Sequence, residues 1–189
     1  MLLLTIGLAG AAAHASLLPR VTLDFPVQDD DRHAIRVIEE AFGAAADGPQ
    51  EALEALLGAE QRLKDQQLPP SLLMQLRASI CSHEARLDPA GTQARIDAWR
   101  AADGKPVDIA LQAAYRNCEG IVHHEQSEFL AATAAFGEAI ELGEAAGKAY
   151  IVGAAYVLRG WMQVYRGFAE EGLEDLGKGY AVYDAADDE

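Results

Sequence analysis

Basic side chains are scarce in this chain of 189 residues, which has 15 lysines and arginines against 30 aspartates and glutamates and a formal net charge of -15. Nucleic acids and anionic membrane surfaces are bound through clusters of Lys and Arg, so the composition argues against them as the main partner. Half of the residues are hydrophobic, which is enough to form a core and excludes a disordered acidic tail. At this length we expect one domain or one array of repeats.

Stretches of alternating polarity, which would predict β-strands, are also missing. The chain has 37 alanines and nine valines, a composition that favours helix over strand. Helical spacing of apolar residues is broken only at short Gly, Pro and Asp segments. The sequence therefore predicts an all-α fold with helices at 30–46, 49–66, 70–87, 91–103, 107–126, 128–146, 148–166 and 169–186.

The motifs of common catalytic sites are missing as well. The sequence contains no glycine-rich phosphate loop, no nucleophile elbow and no His-Glu-x-x-His. Carboxylates such as Glu170, Glu171, Glu174 and Asp175 are scattered, and we assign them to solvated helix faces. We therefore expect a protein that is not an enzyme and that needs no cofactor.

The amino-terminal segment contains no charge and closes on Ala13-His14-Ala15. A short apolar stretch before Ala-x-Ala is typical of a signal peptide, which predicts cleavage after residue 15 and a periplasmic or exported protein. No Lys or Arg precedes the stretch, so a buried amino-terminal helix in a cytoplasmic protein is the alternative. Residues 16–29 contain two prolines without a helical period and are predicted to form a linker into a domain at 30–189.

The predicted helices pair into four similar hairpins at about 30–66, 70–103, 107–146 and 148–186. Counted from Gly120, small or bulky residues recur at offsets of 12, 16 and 19, and the same offsets recur from Gly160. The corresponding residues are Ala132, Phe136 and Ala139 in the third hairpin, Gly172, Leu176 and Gly179 in the fourth, Ala94, Ala98 and Ala101 in the second, and Ala52, Leu56 and Ala59 in the first. Hairpins stack to bury their apolar stripes, and small residues allow helices to cross closely.

At Gly120, Phe129, Ala132, Phe136 and Ala139 the chain resembles the tetratricopeptide repeat family. This resemblance covers about residues 30 to 189 and implies a right-handed superhelix of about four hairpins with a concave groove. Two features depart from the family pattern. Glu119 occupies a position that is usually a large aliphatic residue, and the interval from Gly120 to Gly160 is 40 residues, longer than the usual repeat.

The segments around Leu158-Arg159-Gly160 and Tyr180-x-x-Tyr183 further resemble the exported repeat region of some bacterial diguanylate cyclases and sensor kinases. That likeness implies a sensory domain in signal transduction, with a membrane span and an output domain outside this chain. The ligand would be a peptide, a protein or a small molecule held in the groove. The alternative is a protein–protein interaction scaffold without a small-molecule ligand.

In the family, four positions on the first helix of each hairpin face the groove. The resemblance carries them over to Ser79, His83, Arg86 and Leu87, to Asn117, Ile121, His124 and Glu125, and to Val157, Trp161, Val164 and Tyr165. Aromatic walls with a few polar anchors are typical of ligand sites. For Trp161 and Tyr165 the alternative is packing on a neighbouring helix, since aromatics at helical spacing usually belong to a core. Arg86, His83 and His124 outnumber the single acid Glu125, which favours a ligand with some negative charge.

The two cysteines, Cys81 and Cys118, fall on the first helices of adjacent hairpins at nearly equal height in the repeat register. In an oxidising compartment this placement predicts a disulfide, whereas buried free thiols are the alternative in the cytoplasm. A zinc site that combines them with His83 and His123 or His124 is disfavoured, because the spacing matches no zinc motif and residues two apart on a helix point in different directions.

Overall fold

The computed structural model describes residues 27–44, 48–104 and 107–187, and its regular elements within these ranges are helices. The all-α prediction is therefore confirmed. The predicted signal peptide at 1–15 and most of the predicted linker at 16–29 lie outside the described residues.

The helices begin and end close to the positions that the sequence predicts. They are α1 Asp29–Gly43, α2 Pro49–Leu63, α3 Pro70–Leu87, α4 Pro89–Ala102, α5 Ile109–Glu125, α6 Phe129–Ala145, α7 Ala149–Tyr165 and α8 Ala169–Asp187.

The chain divides into two compact units at Leu68. In the first unit α1 packs against α2, and both bury a stripe of apolar side chains. The predicted small and bulky positions of α2, Ala52, Leu56 and Ala59, are all buried. A salt bridge between Arg62 and Glu40, 3.5 Å long and well exposed, adds little to the stability of this pair.

The second unit, Pro69–Glu189, holds α3 to α8 packed in neighbouring pairs. The pairs α5 with α6 and α7 with α8 make the most extensive contacts, and α5 also contacts both α3 and α7. The Lys148 ammonium, just before α7, donates to the Ser71 hydroxyl in the first turn of α3 at 2.9 Å. The helices α3 and α7 therefore begin at the same end of the unit.

Three-residue turns join α5 to α6, α6 to α7 and α7 to α8. The middle residue of each has a positive φ, at Ser127, Gly147 and Gly167. The amide after it donates to the carbonyl five residues back, as in Lys148 to Gly143 at 2.8 Å. Such a left-handed residue closes a helix by satisfying its last carbonyls, which explains why two of the three are glycine.

The turn between α3 and α4 is shorter and consists of Asp88 alone. Its carboxylate accepts from the Gly91 amide at 2.9 Å, and Pro89 occupies the first helical position, where its missing N–H costs nothing. The helix α4 therefore starts two residues earlier than predicted, because we interpreted Asp88-Pro89 as a break rather than as a helix start.

That shift corrects the predicted register of the second hairpin. Ala94, Ala98 and Ala101, expected at the helix crossing, are exposed. Residues two positions earlier, Thr92, Ile96 and Trp99, are buried instead. The turn before α4 has one residue, whereas the turns of the later hairpins have three. The buried residues of α4 therefore lie two positions closer to Ser82 in the chain than the repeat pattern predicts.

Glycines mark the close crossings in the third and fourth hairpins, as the repeat pattern predicts. A Cβ on Gly120 would lie 2.6 Å from the Phe136 ring, and one on Gly160 would lie 2.7 Å from the backbone carbonyl oxygen of Gly172. Phe136 and Leu176 therefore pack on the glycine of their own hairpin. Only a glycine allows α7 and α8 to approach this closely.

We expect Gly160→Ala to lower the free energy of unfolding by about 1–3 kcal/mol, because the Cβ meets backbone that cannot turn aside. The matched control is Gly177→Ala on the outer face of α8, where a Cβ meets nothing within 4 Å. Alanine there should raise the stability by up to about 1 kcal/mol through helix propensity. Urea unfolding followed by far-UV circular dichroism measures both, and equal effects would contradict the close crossing.

Candidate functional site

The predicted groove residues lie on α3, α5 and α7 and differ widely in exposure. Ser79, Asn117 and Ile121 are buried, His83, His124 and Trp161 are half-buried, and Arg86 and Tyr165 are exposed. The eight residues therefore do not form one open surface. The half-buried and exposed members are the ones that a ligand could reach.

Two further residues carried over from the family, Val157 and Val164, face α8 instead of a groove. A Cβ on Gly179 would lie 2.7 Å from a methyl carbon of Val157, and one on Gly172 would lie 2.6 Å from a methyl carbon of Val164. This corrects the prediction at these positions. The reason is that the residues three before and four after Gly160 share its helix face, which packs against α8.

His124 occupies the position of α5 that corresponds to Val164, and it too approaches the second helix of its hairpin. Its ring centroid lies 6.0 Å from that of Phe129, the first residue of α6. Its Nδ1 is buried and has no hydrogen-bond partner among the residues that the structure describes. The same holds for the Ser79 hydroxyl and the Asn117 side-chain carbonyl oxygen. These three groups keep hydrogen-bonding capacity that the described part of the chain does not use.

The imidazole of His83 has a defined tautomer. Its Nδ1 lies 2.8 Å from the backbone carbonyl oxygen of Ser79, one turn earlier on α3. A carbonyl only accepts, so Nδ1 carries the proton and donates. In the neutral ring Nε2 then has the lone pair, which makes it the nitrogen available to a ligand.

Trp161 and Tyr165 form the aromatic part of the site on α7. Their ring centroids are 5.9 Å apart with an interplanar angle of 29°, a stacked arrangement. Tyr165 is 66% exposed, whereas Trp161 is half-buried. Since a core aromatic would be covered, the exposure of Tyr165 contradicts the alternative that it packs into a core.

Cys81 and Cys118 are joined in a disulfide with their Cα atoms 5.6 Å apart. Both cysteines are fully buried. The bond links α3 directly to α5, and α4, the second helix of the hairpin, lies between them in the chain but is not linked. It fixes the relative height of the two helices that carry His83 and Ile121.

A buried polar cluster, which sequence reasoning missed, links α3, α4 and α5. The Arg77 guanidinium donates to both oxygens of Asp103 at 2.7 and 2.8 Å. It also donates to the hydroxyl oxygen of Tyr115, which in turn donates to Asp103. Arg77 lies 5.1 Å from the ring centroid of Trp99 and 5.8 Å from that of Tyr115. We call these four residues the Arg77 cluster.

Glu119, which departs from the family pattern, is held by arginines from two helices. Arg100 of α4 and Arg116 of α5 both donate to its carboxylate, the second at 2.9 Å. Glu119 is therefore buried as an ion pair in place of an aliphatic side chain. The sequence around Glu119 did not indicate this pairing, because Arg100 lies on another helix and only the packing of the helices brings the two side chains together.

Asp175 requires a correction, because we predicted a solvated surface there. It is 5% exposed and accepts two hydrogen bonds from Arg159 of α7, at 2.7 and 2.9 Å. Bidentate pairs of this kind fix the geometry of both side chains. Glu170, Glu171 and Glu174 are exposed as predicted.

Acidification tests the role of Glu119. Burial alone raises the pKa of its carboxyl, but the hydrogen bonds and charges of Arg100 and Arg116 outweigh burial and lower the net pKa. A lowered pKa contributes stability above the unfolded value, and that contribution is lost as the pH falls through the folded value. Glu119→Gln should therefore lose less stability between pH 7 and acid pH than the wild type. Exposed Glu125→Gln is the control, and parallel profiles for all three proteins would contradict the ion pair.

Metal ligands do not come together in the part of the chain that the structure describes. No group of three or more His, Cys, Asp and Glu side chains could hold an ion over 27–44, 48–104 and 107–187. His123 instead pairs with Glu128 at 2.7 Å in the turn before α6. Among the helices in these ranges, none combines the length and hydropathy of a bilayer span.

Comparison with protein-family models, with curated proteins and with solved structures found no match to this chain.

Proposed function

We propose that this chain is a tetratricopeptide-type binding domain that takes a peptide or small molecule onto the faces of α3, α5 and α7. In this proposal the hairpins form a right-handed superhelix, and the domain is the exported sensory part of a bacterial signalling protein. Ligand binding would bias the curvature of the stack, because each repeat contacts only its neighbours.

The observation that carries the proposal is the stacked aromatic pair of half-buried Trp161 and exposed Tyr165. The two rings stack on each other, and part of their apolar surface is not covered by the rest of the fold. A ligand that packs on this surface would cost little side-chain entropy, because the stacked rings are already held in place. In the repeat register Trp161 corresponds to Ile121 on α5 and His83 on α3. Because α5 contacts both α3 and α7, we expect these positions to form a line across three neighbouring helices, with Ile121 buried in its middle.

The polar and charged groups near this line are suited to anchoring a ligand. Arg86 is exposed in the last turn of α3, and Nε2 of His83 keeps its lone pair. Of the carboxylates near this line, Glu84 is paired, since it accepts from Arg95 at 2.7 Å through both oxygens, whereas Glu125 is exposed. The candidate site therefore combines one exposed acid with Arg86 and the imidazoles of His83 and His124, which suits a ligand that carries an anionic group.

Export is supported by the buried disulfide. Disulfides persist in oxidising compartments such as the bacterial periplasm and are rare in the cytosol. Mass spectrometry of protein expressed with residues 1–15 and recovered from the periplasm should find no free thiol and an amino terminus at Ser16. Two free thiols or an uncleaved amino terminus would contradict the export part of the proposal.

A thermal-shift screen with free amino acids, dipeptides and tripeptides tests binding, followed by titration of each hit. We expect Trp161→Ala and Arg86→Ala to weaken binding of a hit at least tenfold, with unchanged far-UV circular dichroism. Tyr165→Ala is the safer second variant, since its side chain is 66% exposed and contributes little to folding. The matched control is Leu130→Ala on α6, where the side chain is 85% exposed.

Hits that bind all of these variants equally well would contradict the proposed site. A screen without any hit would contradict the peptide and amino acid ligands. Loss of helicity in Trp161→Ala together with normal binding in Tyr165→Ala would assign Trp161 to the core and exclude Tyr165 from the binding site.

A further inference from the structure

Gly177 lies within α8 on a face that no other part of the described chain approaches. A Cβ placed there would meet no atom within 4 Å. Glycine inside a helix is less stable than alanine, since it loses more backbone freedom on folding. The position therefore weakens α8 without serving any contact within the described residues.

The other glycines of α8 show what such a residue does in this fold. Gly172 and Gly179 face α7, and a Cβ on either would clash with a valine or with backbone of that helix. On α7, Gly153 and Gly160 face α8 in the same way. Each of these four glycines allows a helix to approach closely, and Gly177 leaves room for such an approach on the opposite side of α8.

Large apolar side chains flank Gly177 along this outer face. Leu173, four residues earlier, is 64% exposed, and Tyr180, three residues later, is 46% exposed. Residues spaced by three and four share one face of a helix, so the three form a stripe with a gap between two bulky side chains. A side chain of a second helix fits into a gap of this kind.

Acidic side chains continue the stripe at both of its ends. Glu170 lies three residues before Leu173 and Asp184 lies four residues after Tyr180, and both are exposed. The single basic residue of α8, Lys178, pairs with Glu174 at 2.6 Å. The two ends of the stripe are therefore negative, and a partner helix with positive side chains at the matching ends would complement them.

We propose that the outer face of α8, formed by Leu173, Gly177 and Tyr180, docks an amphipathic helix of a protein partner whose apolar stripe has Lys or Arg at its two ends. The partner helix places an apolar side chain over Gly177. This surface is separate from the line of His83, Ile121 and Trp161, so it adds a second interaction to the proposed function and does not depend on it.

A second copy of the chain is the less suitable occupant. Two α8 helices packed face to face would bring Glu170 and Asp184 of one copy near the same acids of the other. Like charges at the edge of an interface oppose association. The net charge of -15 adds a repulsion between copies that a basic helix does not meet.

Selection from a phage-displayed library of single α-helices, randomised at their surface positions, tests the proposal without prior choice of a sequence. We expect the helices that bind the full-length protein to share an apolar stripe with Lys or Arg at its two ends. Synthetic peptides of the selected helices should bind Gly177→Leu at least tenfold more weakly than the wild type, and more weakly at high salt. Gly177→Leu itself should unfold at no lower urea concentration, because leucine favours helix.

The matched control is Ala134→Leu, which adds the same side chain to an exposed position of α6. It should leave the affinity of the selected helices unchanged. The proposal is overturned if no helix is selected, if the selected helices lack basic residues at the ends of their apolar stripe, or if they bind Gly177→Leu as well as the wild type. Self-association in sedimentation equilibrium that Gly177→Leu abolishes would assign the face to a second copy and also overturn it.

Discussion

Asp103→Ala should lower the free energy of unfolding by about 3–5 kcal/mol, the range expected when a buried charge loses its partner. The side chains of Arg77 and Asp103 are 9% and 10% exposed, so the guanidinium left behind cannot be hydrated without opening the helices around it. The Tyr115 hydroxyl loses its acceptor at the same time. Burial and the hydrogen bond to Asp103 raise the pKa of Tyr115 above its ordinary value, so it stays a neutral donor.

Urea unfolding followed by tryptophan fluorescence measures this effect, because Trp99, one of the two tryptophans, lies within the Arg77 cluster. Asp97→Ala, an exposed change on the same helix, should alter the stability by less than about 0.5 kcal/mol. The double variant Arg77→Met with Asp103→Ala should recover a large part of the loss, since it leaves no buried charge. A loss below about 1 kcal/mol for Asp103→Ala would show that Arg77 reaches water.

Removal of the disulfide should have an effect of similar size. Cys81 and Cys118 are 37 residues apart, and closing a loop of this length stabilises a protein by roughly 3–4 kcal/mol through the entropy of the unfolded chain. We expect the double variant Cys81→Ala with Cys118→Ala to lose about that amount. The measurement is urea unfolding of the wild type and the double variant, both without reductant.

Reductant supplies the control. It should destabilise the wild type to the level of the double variant and leave the double variant unchanged. Because both sulfurs are buried, reduction of the folded wild type should also be slower than reduction in urea. Equal stability with and without the bond would mean that the packing of α3 on α5 alone holds the unit together.

Helix positions were predictable here because the Pro and Gly residues that start and end the helices act locally. Pro49 and Pro70 each begin a helix, and Gly147 and Gly167 each end one through a positive φ. The error at α4 has the same local origin, since Pro89 starts a helix where we expected a break. The length of the turn before α4, a single residue, then decided which face of α4 is buried. The sequence of α4 by itself did not indicate that face.

The burial and pairing of charged side chains were less predictable than the positions of the helices. Asp175 resembles its exposed neighbours Glu171 and Glu174 in sequence, yet Arg159 binds it from the facing helix. Only the packing of α7 on α8 brings the two together. The candidate site has the same limit. The repeat register predicts a ligand-facing position for Trp161 and Tyr165, of which Tyr165 is exposed and Trp161 half-buried, but it could not show that Val157 faces α8.

The link between Cys81 and Cys118 encloses the whole of α4 in a covalent ring. A protease that cuts once between the two cysteines would therefore leave its products attached to one another, and the nicked protein would migrate as one band until reductant is added. The segment after α4 could thus be opened, or a foreign peptide inserted there, without releasing α3 from α5. The ring makes this part of the chain a suitable place to graft a reporter.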